Sequence, residues 1–305
     1  MKNIYSFLVT SLFRFLGIVS RSISPAFRQR FGRTIGLFML LLSKKRRTVT
    51  YQNIHSSFPE KSIEECYSIV RSSYENLGIT LVELLAFPSF TRKLLQQQIT
   101  VINSEYLLEQ QRNGKSMILL SGHYGNWELL AFGVASIVDI PFSIVVKEQR
   151  NVSADTLLNS YRTLRNNSVI PMRSAARNII KKIQQGEAIA MLTDQAADPN
   201  KDVFVEFFGR PAVTYEAPAY LSIKYQIPIV FGVARRTTDG KYEVELQRIF
   251  PKTTELTKES IHSLTQEHTL MLEQTIRKDP SQWSWQHKRW KYNPKDYIEN
   301  PSLKK

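Results

Sequence analysis

The sequence predicts an α/β fold, a mainly parallel sheet flanked by helices, preceded by a helical segment that is both basic and apolar. Three observations predict it. From Ser116 onward, short apolar runs alternate with helix-period runs, the pattern of strands joined by crossover helices. Asp239-Gly240 lies between two apolar runs and reads as a hairpin turn, so the last strands are expected to be antiparallel. No Asp or Glu precedes Glu60, whereas Lys2, Arg14, Arg21, Arg28, Arg30, Arg33, Lys44, Lys45, Arg46 and Arg47 all do.

The N-terminal segment comes first. Ile4 to Val19 is nearly all hydrophobic, interrupted by Arg14, and Ile35 to Leu42 is a second apolar run followed at once by Lys44-Lys45-Arg46-Arg47. A spanning helix needs roughly 20 apolar residues, so the second run is too short and the first marginal. Apolar helices edged with Lys and Arg suit the interface of an anionic membrane; a single weak transmembrane anchor is the alternative. A signal peptide would show an uninterrupted apolar centre and a small-residue cleavage site, and neither is evident. Residues 1–50 are therefore read as a basic apolar membrane-anchoring segment and 51–305 as the catalytic domain. The composition shifts near Thr48 to Phe58, and there is no internal repeat or Pro/Gly/Ser linker.

Lys61 to Glu83 has apolar or small residues at helical spacing and is expected to be a helix, followed by a short one at Arg92–Gln98. Strands are expected at Ser116–Ser121, Phe142–Lys147, Ser168–Pro171, Ala188–Thr193, Val203–Phe207, Pro228–Val233 and Tyr242–Ile249. Helices are expected at Trp127–Ile137, Ala154–Asn166, Ser174–Gln185, Ala217–Tyr225 and Lys258–Lys278.

With 305 residues, 42% of them hydrophobic, the chain has the composition of a globular protein. The net charge of +14 would suit nucleic acid, but the charge is mixed into apolar helices and no helix-turn-helix, zinc or RNA-binding signature is present, so lipid is favoured and nucleic acid is not a partner. Cys66 is the only cysteine, so no intrachain disulfide forms and a reducing compartment is implied. It lies in an amphipathic run and reads as a core residue.

The chemistry is expected at Ser121-Gly122-His123-Tyr124-Gly125-Asn126-Trp127-Glu128. The stretch reads as a strand, a small-residue turn and a helix start, where open α/β sheets place their active sites. A histidine oriented by a carboxylate can take a proton from a substrate hydroxyl and so needs no protein nucleophile. Five positions apart, His123 and Glu128 pair only if His123 lies in the turn before the helix, where Gly122 and Gly125 allow it. By spacing alone, a core histidine and a carboxylate complementing the helix dipole account for the two better than catalysis does. Zinc would need three or four convergent ligands; there is no His-Glu-x-x-His and no cysteine cluster, so no metal is expected.

The His-(four residues)-Glu after a strand resembles the signature of the lysophospholipid acyltransferase superfamily. The glutamate, where glycerolipid enzymes usually carry aspartate, resembles the late (lauroyl/myristoyl) lipid A biosynthesis acyltransferases. Further matching pieces are Asn53-Ile54 with Phe58-Pro59-Glu60, Thr193-Asp194-Gln195, Val203 to Gly209 with Thr214, Pro280, and Trp285 to Lys291. The resemblance implies a fold like glycerol-3-phosphate acyltransferase. It also implies transfer of a fatty acyl chain from a thioester on acyl carrier protein (or acyl-CoA) to a hydroxyl of a lipid A precursor, with no cofactor, at the cytoplasmic face of a bacterial inner membrane. His123 would be the base and Glu128 would fix its tautomer. Another bacterial glycolipid or aminolipid acceptor is the second reading, and a non-catalytic lipid-binding protein the third.

The resemblance also places a functional arginine near Arg162, with Arg165 its nearest rival; arginine can hold phosphate through two parallel hydrogen bonds. Asp194, at the end of the Ala188–Leu192 strand, is expected to orient Arg162 or shape the acceptor site, with Gln195 beside it. Phe207-Phe208-Gly209-Arg210-Pro211 reads equally well as acyl-channel lining or as core. Trp283, Trp285 and Trp290, mixed with Lys288, Arg289 and Lys291, have interfacial character, and His287 reads as structural or headgroup-binding.

Overall fold

The computed structural model describes residues 2–149 and 151–295, with side chains from Ser6 onward. α1 (Lys2–Ser22) leads into α2 (Pro25–Leu42), which begins with Ser24 capping the Phe27 amide and a proline in its first turn. Ser43 ends α2 and caps α3 (Lys44–Ser57) by accepting from the Arg46 amide. α4 (Ile63–Leu84) opens with a Ser62/Glu65 capping box. α2 and α4 cross at Gly32, Gly36 and Gly78. A side chain on Gly78 would collide with the Gly32 carbonyl and the Gly36 backbone, so only glycine permits this approach. α2 is thereby fixed to the body.

The outer faces of α1 and α2 stay open. Phe7, Leu8, Leu12, Phe15 and Ile18 on α1, and Phe27, Phe38, Leu41 and Leu42 on α2, are exposed, Leu41 by 73%. Arg14, Arg30, Arg33, Lys44, Lys45 and Arg46 share this exposed region. Among the described residues, no helix is long and apolar enough to cross a membrane.

After α5 (Arg92–Gln98), β1 (Ile99–Ile102) and α6 (Glu105–Arg112), the chain enters its main sheet. This contains β2 (Met117–Ser121), β3 (Phe142–Val146), β4 (Ser168–Pro171), β5 (Ala188–Leu192), β8 (Ile229–Phe231) and β11 (Gln247–Ile249), in the order β11-β8-β2-β5-β3-β4. α7 (Trp127–Val138), α8 (Val152–Arg162) and α9 (Ala175–Gln184) connect its strands. Side chains alternate across it: Met117, Leu119, Ala188 and Ala190 face one core, Ile118, Leu120, Ile189 and Met191 the other. α10 (Ala217–Tyr225) and α11 (Lys258–Lys278) cover the second face.

The sheets are mixed, which corrects the expectation of a mainly parallel sheet. β8-β2-β5-β3-β4 are mutually parallel, but β11 runs antiparallel on β8. A second sheet pairs β1 parallel to β10 (Tyr242–Glu245) and β10 antiparallel to β9 (Ala234–Arg236). β6 (Val203–Phe207) and β7 (Arg210–Thr214) form a separate antiparallel hairpin. The cause is local. The Asp239-Gly240 turn, with Gly240 at φ 83°, sends β10 back along β9. The run expected as one strand from Tyr242 to Ile249 breaks at buried Leu246, whose amide bonds Ile102, and its halves join different sheets.

Other differences have equally plain reasons. α8 stops at Arg162 because Arg165 and Asn166 both take positive φ. β7 escaped notice because it starts with Arg210-Pro211; its hairpin turn is Phe208-Gly209, both at positive φ. Trp283 and Trp285 are not interfacial. They are buried, 2% and 0% exposed, against Phe58, Phe207 and Phe208. Phe207 and Phe208 fill that same core. Cys66 is also buried there.

Candidate active site

The parallel register of two neighbouring strands builds the site. Ser121 at the end of β2 lies opposite Leu192 at the end of β5. Two residues further along each strand's exit stand His123 and Asp194. The His123 amide donates to Asp194 Oδ2 at 2.7 Å, and Nδ1 of its ring lies 2.7 Å from Oδ1. Trp283 Nε1 donates to Oδ2 at 2.7 Å. Asp194 is buried and bonded on both oxygens, so it is not available to shape an acceptor site.

The turn carrying His123 is pinned from several sides. Gly125 has φ 57°, and a Cβ there would run into the Ala234 carbonyl. Its carbonyl accepts from Asn76 and Thr80 of α4, and its amide donates to Gln282. The His123 carbonyl accepts from the Ser284 amide. Asn126 caps α7 through the Leu129 amide and donates to buried Glu83 at 2.6 Å. The imidazole is therefore held in one place on a rigid floor.

Glu128 has a different partner from the expected one. It accepts from Arg162 Nε at 2.8 Å and Nη2 at 2.5 Å, and Arg162 Nη1 donates to Asn159 at 2.9 Å. Asp194 thus takes the histidine and Glu128 the arginine, the reverse of both sequence expectations. The reason is position. Glu128 sits in the first turn of α7, facing the last turn of α8, whereas Asp194 leaves the strand adjacent to that of His123. Arg162 has three of its five N–H groups committed and itself lines the cavity described below. Arg165 instead donates to the Phe90 carbonyl.

Electrostatics follow this pairing. Burial pulls the His123 pKa down, but the charge of Asp194 and its hydrogen bond outweigh it and leave the ring above its ordinary 6.5. Burial pushes Asp194 up, yet His123 and the hydrogen bonds it receives hold it well below the usual carboxylate range. Glu128, despite burial, is held low by Arg162. With Nδ1–H donating to Asp194, Nε2 carries the free lone pair, and Gln195 Nε2 lies 3.4 Å from it.

His123, Glu128, Arg162 and Gln195 open onto one cavity of about 1440 Å³, larger than the roughly 300–1,000 Å³ of a drug-sized ligand site. One arm is apolar, between Leu119 and Ala190 of the sheet, Leu130 and Ala131 of α7, Leu158 of α8, and Val9 and Phe13 of α1. The small side chains of Ala131 and Ala190 leave its space. His287 also lines the cavity; burial lowers its pKa to about 4, and its Nε2 accepts from the Ala196 amide. It is neutral and already bonded, so it does not act as a cationic headgroup ligand. Among the described residues no three His, Cys, Asp or Glu side chains group as metal ligands.

Sequence reasoning gave Trp283 and Arg289 an interfacial character and missed their place beside Asp194. Trp283 fixes the Asp194 carboxylate from 89 positions away. Arg289 is 1% exposed and donates to the Val213 carbonyl and to Thr214. Burial lowers its pKa to about 10, with Asp194 and Tyr215 opposing. No short-range signal in the sequence connects these residues to His123.

Residues 3–292 match the family model for bacterial lipid A biosynthesis acyltransferases. The chain belongs to that family. It is an acyltransferase of the lipid A biosynthesis type. It is 25% identical to the lipid A biosynthesis lauroyltransferase of Escherichia coli (strain K12), over 87% of this chain and 85% of that one. It is 22% identical to the lipid A biosynthesis palmitoleoyltransferase of the same strain, over 86% and 84%. A lipid A biosynthesis acyltransferase of Haemophilus influenzae is 24% identical over 72% of this chain and 69% of its own.

Proposed function

We propose that this acyltransferase moves a fatty acyl chain from a thioester, carried by acyl carrier protein, to a hydroxyl of a lipid A precursor at the cytoplasmic face of a bacterial inner membrane. The observation that carries the reading is the His123–Asp194 pair, which presents Nε2 to a cavity of about 1440 Å³ with an apolar arm.

His123 Nε2 takes the proton of the acceptor hydroxyl as its oxygen attacks the thioester carbonyl carbon. The carbonyl oxygen gains the negative charge, and the two remaining N–H groups of Arg162 stand ready to stabilise it. Glu128 holds that guanidinium in place. The C–S bond then breaks, the acyl chain stays on the acceptor oxygen, and the imidazolium returns its proton to the leaving thiolate. Asp194 fixes the Nδ1–H tautomer and stabilises the imidazolium. Arg162 thus meets the donor's carbonyl rather than a phosphate, and Gln195 holds substrate near Nε2. The fold is read as that of glycerol-3-phosphate acyltransferase.

Residues 1–50 serve as the membrane-anchoring segment and 51–305 as the acyltransferase domain. The support is the exposed apolar face of α1 and α2 edged by Arg14, Arg30, Arg33, Lys44 and Lys45, which suits insertion at the level of anionic headgroups.

The test is to incubate the purified full chain with acyl carrier protein thioesters and a phosphorylated glucosamine lipid, then weigh the lipid product. One added acyl chain is expected, with poor transfer to lysophosphatidic acid. Efficient transfer to lysophosphatidic acid and none to the glucosamine lipid would overturn the assignment.

A further inference from the structure

Two cations line the catalytic cavity without a partner. Arg46, in the first turn of α3, and Lys147, just past β3, are both exposed and line it together with His123 and His287. Among the described residues neither side chain makes an ion pair or hydrogen bond. Arg47, next in sequence, instead turns back to the Leu40 carbonyl. The positive charge of Lys147 reaches the His287 ring, which places it near the catalytic end.

The carboxylates in the cavity do not neutralise these cations. Glu128 is taken by Arg162, and Glu148 is bonded to Arg173 at 2.6 Å. The uncompensated charge on the cavity lining is positive. Arg46 also occupies an unfavourable place, since cations at a helix N-terminus oppose the dipole and the first turn of α3 holds four in a row with no acid. Local electrostatics broken in this way is the mark of a functional position.

We infer that Arg46 and Lys147 form a clamp for a phosphoryl group of the acceptor at the mouth of the cavity. This rests on the proposed acyl transfer to a phosphorylated glucosamine lipid. Arginine meets two phosphate oxygens at once and lysine adds a point charge. The acceptor is the source favoured by position. Arg46 follows directly on Phe38, Leu41 and Leu42, the exposed apolar end of α2, so it stands where an apolar surface gives way to the cavity. That is the level of lipid headgroups. Arg162, held by Glu128 and Asn159 through three of its N–H groups, is left for the reacting carbonyl.

The donor's phosphopantetheine arm also carries phosphate, and the experiment separates the two sources. Arg46→Gln, Lys147→Gln and the double variant of the full chain are compared with wild type on the phosphorylated acceptor and on the same lipid treated with phosphatase. Lys181→Gln, an exposed cation on α9 outside the cavity, controls for net charge. Each cavity variant is expected to lower the preference for the phosphorylated acceptor about tenfold, by raising its KM, with the control unchanged. Arg46→Lys should recover part of the loss. An unchanged preference overturns the clamp. So does a rise in donor KM alone, which assigns the cations to the phosphopantetheine, and so does an equal loss on both acceptors. If wild type transfers to neither glucosamine lipid, the acceptor assignment fails, and the clamp drawn from it with it.

Discussion

Arg162 and Arg46 line the same cavity, yet Arg162 gives three N–H groups to Glu128 and Asn159 while Arg46 has no side-chain partner among the described residues. The same contrast separates two regions. Around His123 the carboxylates are matched: Asp194 by His123 and Trp283, Glu128 by Arg162. On α1 to α3, by contrast, Arg14, Arg30, Arg33, Lys44, Lys45 and Arg46 and the side chains of Phe7, Phe15, Phe38 and Leu41 face outward. A buried charge without a partner is too costly to persist, so the interior must be complete before any substrate arrives. The outer region can stay incomplete, because its charged groups remain exposed to water. Matched groups position and unmatched groups bind.

The strongest way to break this division is His123→Ala. Turnover should fall roughly 10²–10⁴-fold with the fold intact, since that is the usual worth of a general base. A near-wild-type rate in the purified variant would remove His123 from the chemistry.

Glu128→Gln should leave the Arg162 guanidinium buried without a counter-charge. The expected loss of stability is about 3 kcal/mol, read from the denaturant midpoint at unchanged m-value. Replacing both partners, Glu128→Gln with Arg162→Met, should be less damaging to stability than Glu128→Gln alone. A single variant as stable as wild type would mean that the pair is not the matched interior element described above.

Asp194→Asn tests the floor. The neutral ring is the active base, so the rate should rise with pH through the His123 pKa, which Asp194 holds above 6.5. Removing that charge leaves burial, which acts downward. The acid limb should therefore move to lower pH, and the plateau should also fall because the tautomer is no longer fixed. An unmoved acid limb would show that Asp194 does not set the titration.

The smallest effects belong to the outer face. Phe15→Ser and Leu41→Ser should each weaken binding to anionic vesicles by roughly tenfold, the order of one partly buried apolar side chain. High salt should release little of the intact protein if insertion dominates, because screening weakens only the charge contribution. Complete release by salt would make this surface purely electrostatic.

The strand–turn–helix from Met117 to Glu128 was legible because a buried strand, two glycines and a helix-capping Asn126 all lie within a dozen residues. The limits of α5, β4, β6, α10 and α11 were legible for the same reason. The pairing of His123 was not. It depends on β5 lying beside β2, an order that the chain reaches only after β3 and β4. The tryptophans misled because composition alone cannot separate a membrane edge from a core: Trp283 and Trp285, between Lys278 and Lys288, pack inward as a cluster. Likewise, the sequence marks Tyr242 to Ile249 as one run with apolar residues recurring along it but cannot show that Leu246 turns the chain into another sheet.

α1 has two working sides. Val9 and Phe13 close the apolar arm, while Phe7, Leu12 and Phe15 face out, and Ser6 ties the helix to Asn151 of the opposite rim at 2.9 Å. A deletion made to free the protein from lipid would therefore unroof the channel as well. Loss of activity in such a truncated chain would not distinguish a missing bilayer from a missing wall. Only changes confined to the outward side chains can separate adhesion from catalysis, which calls for repainting α1 rather than removing it.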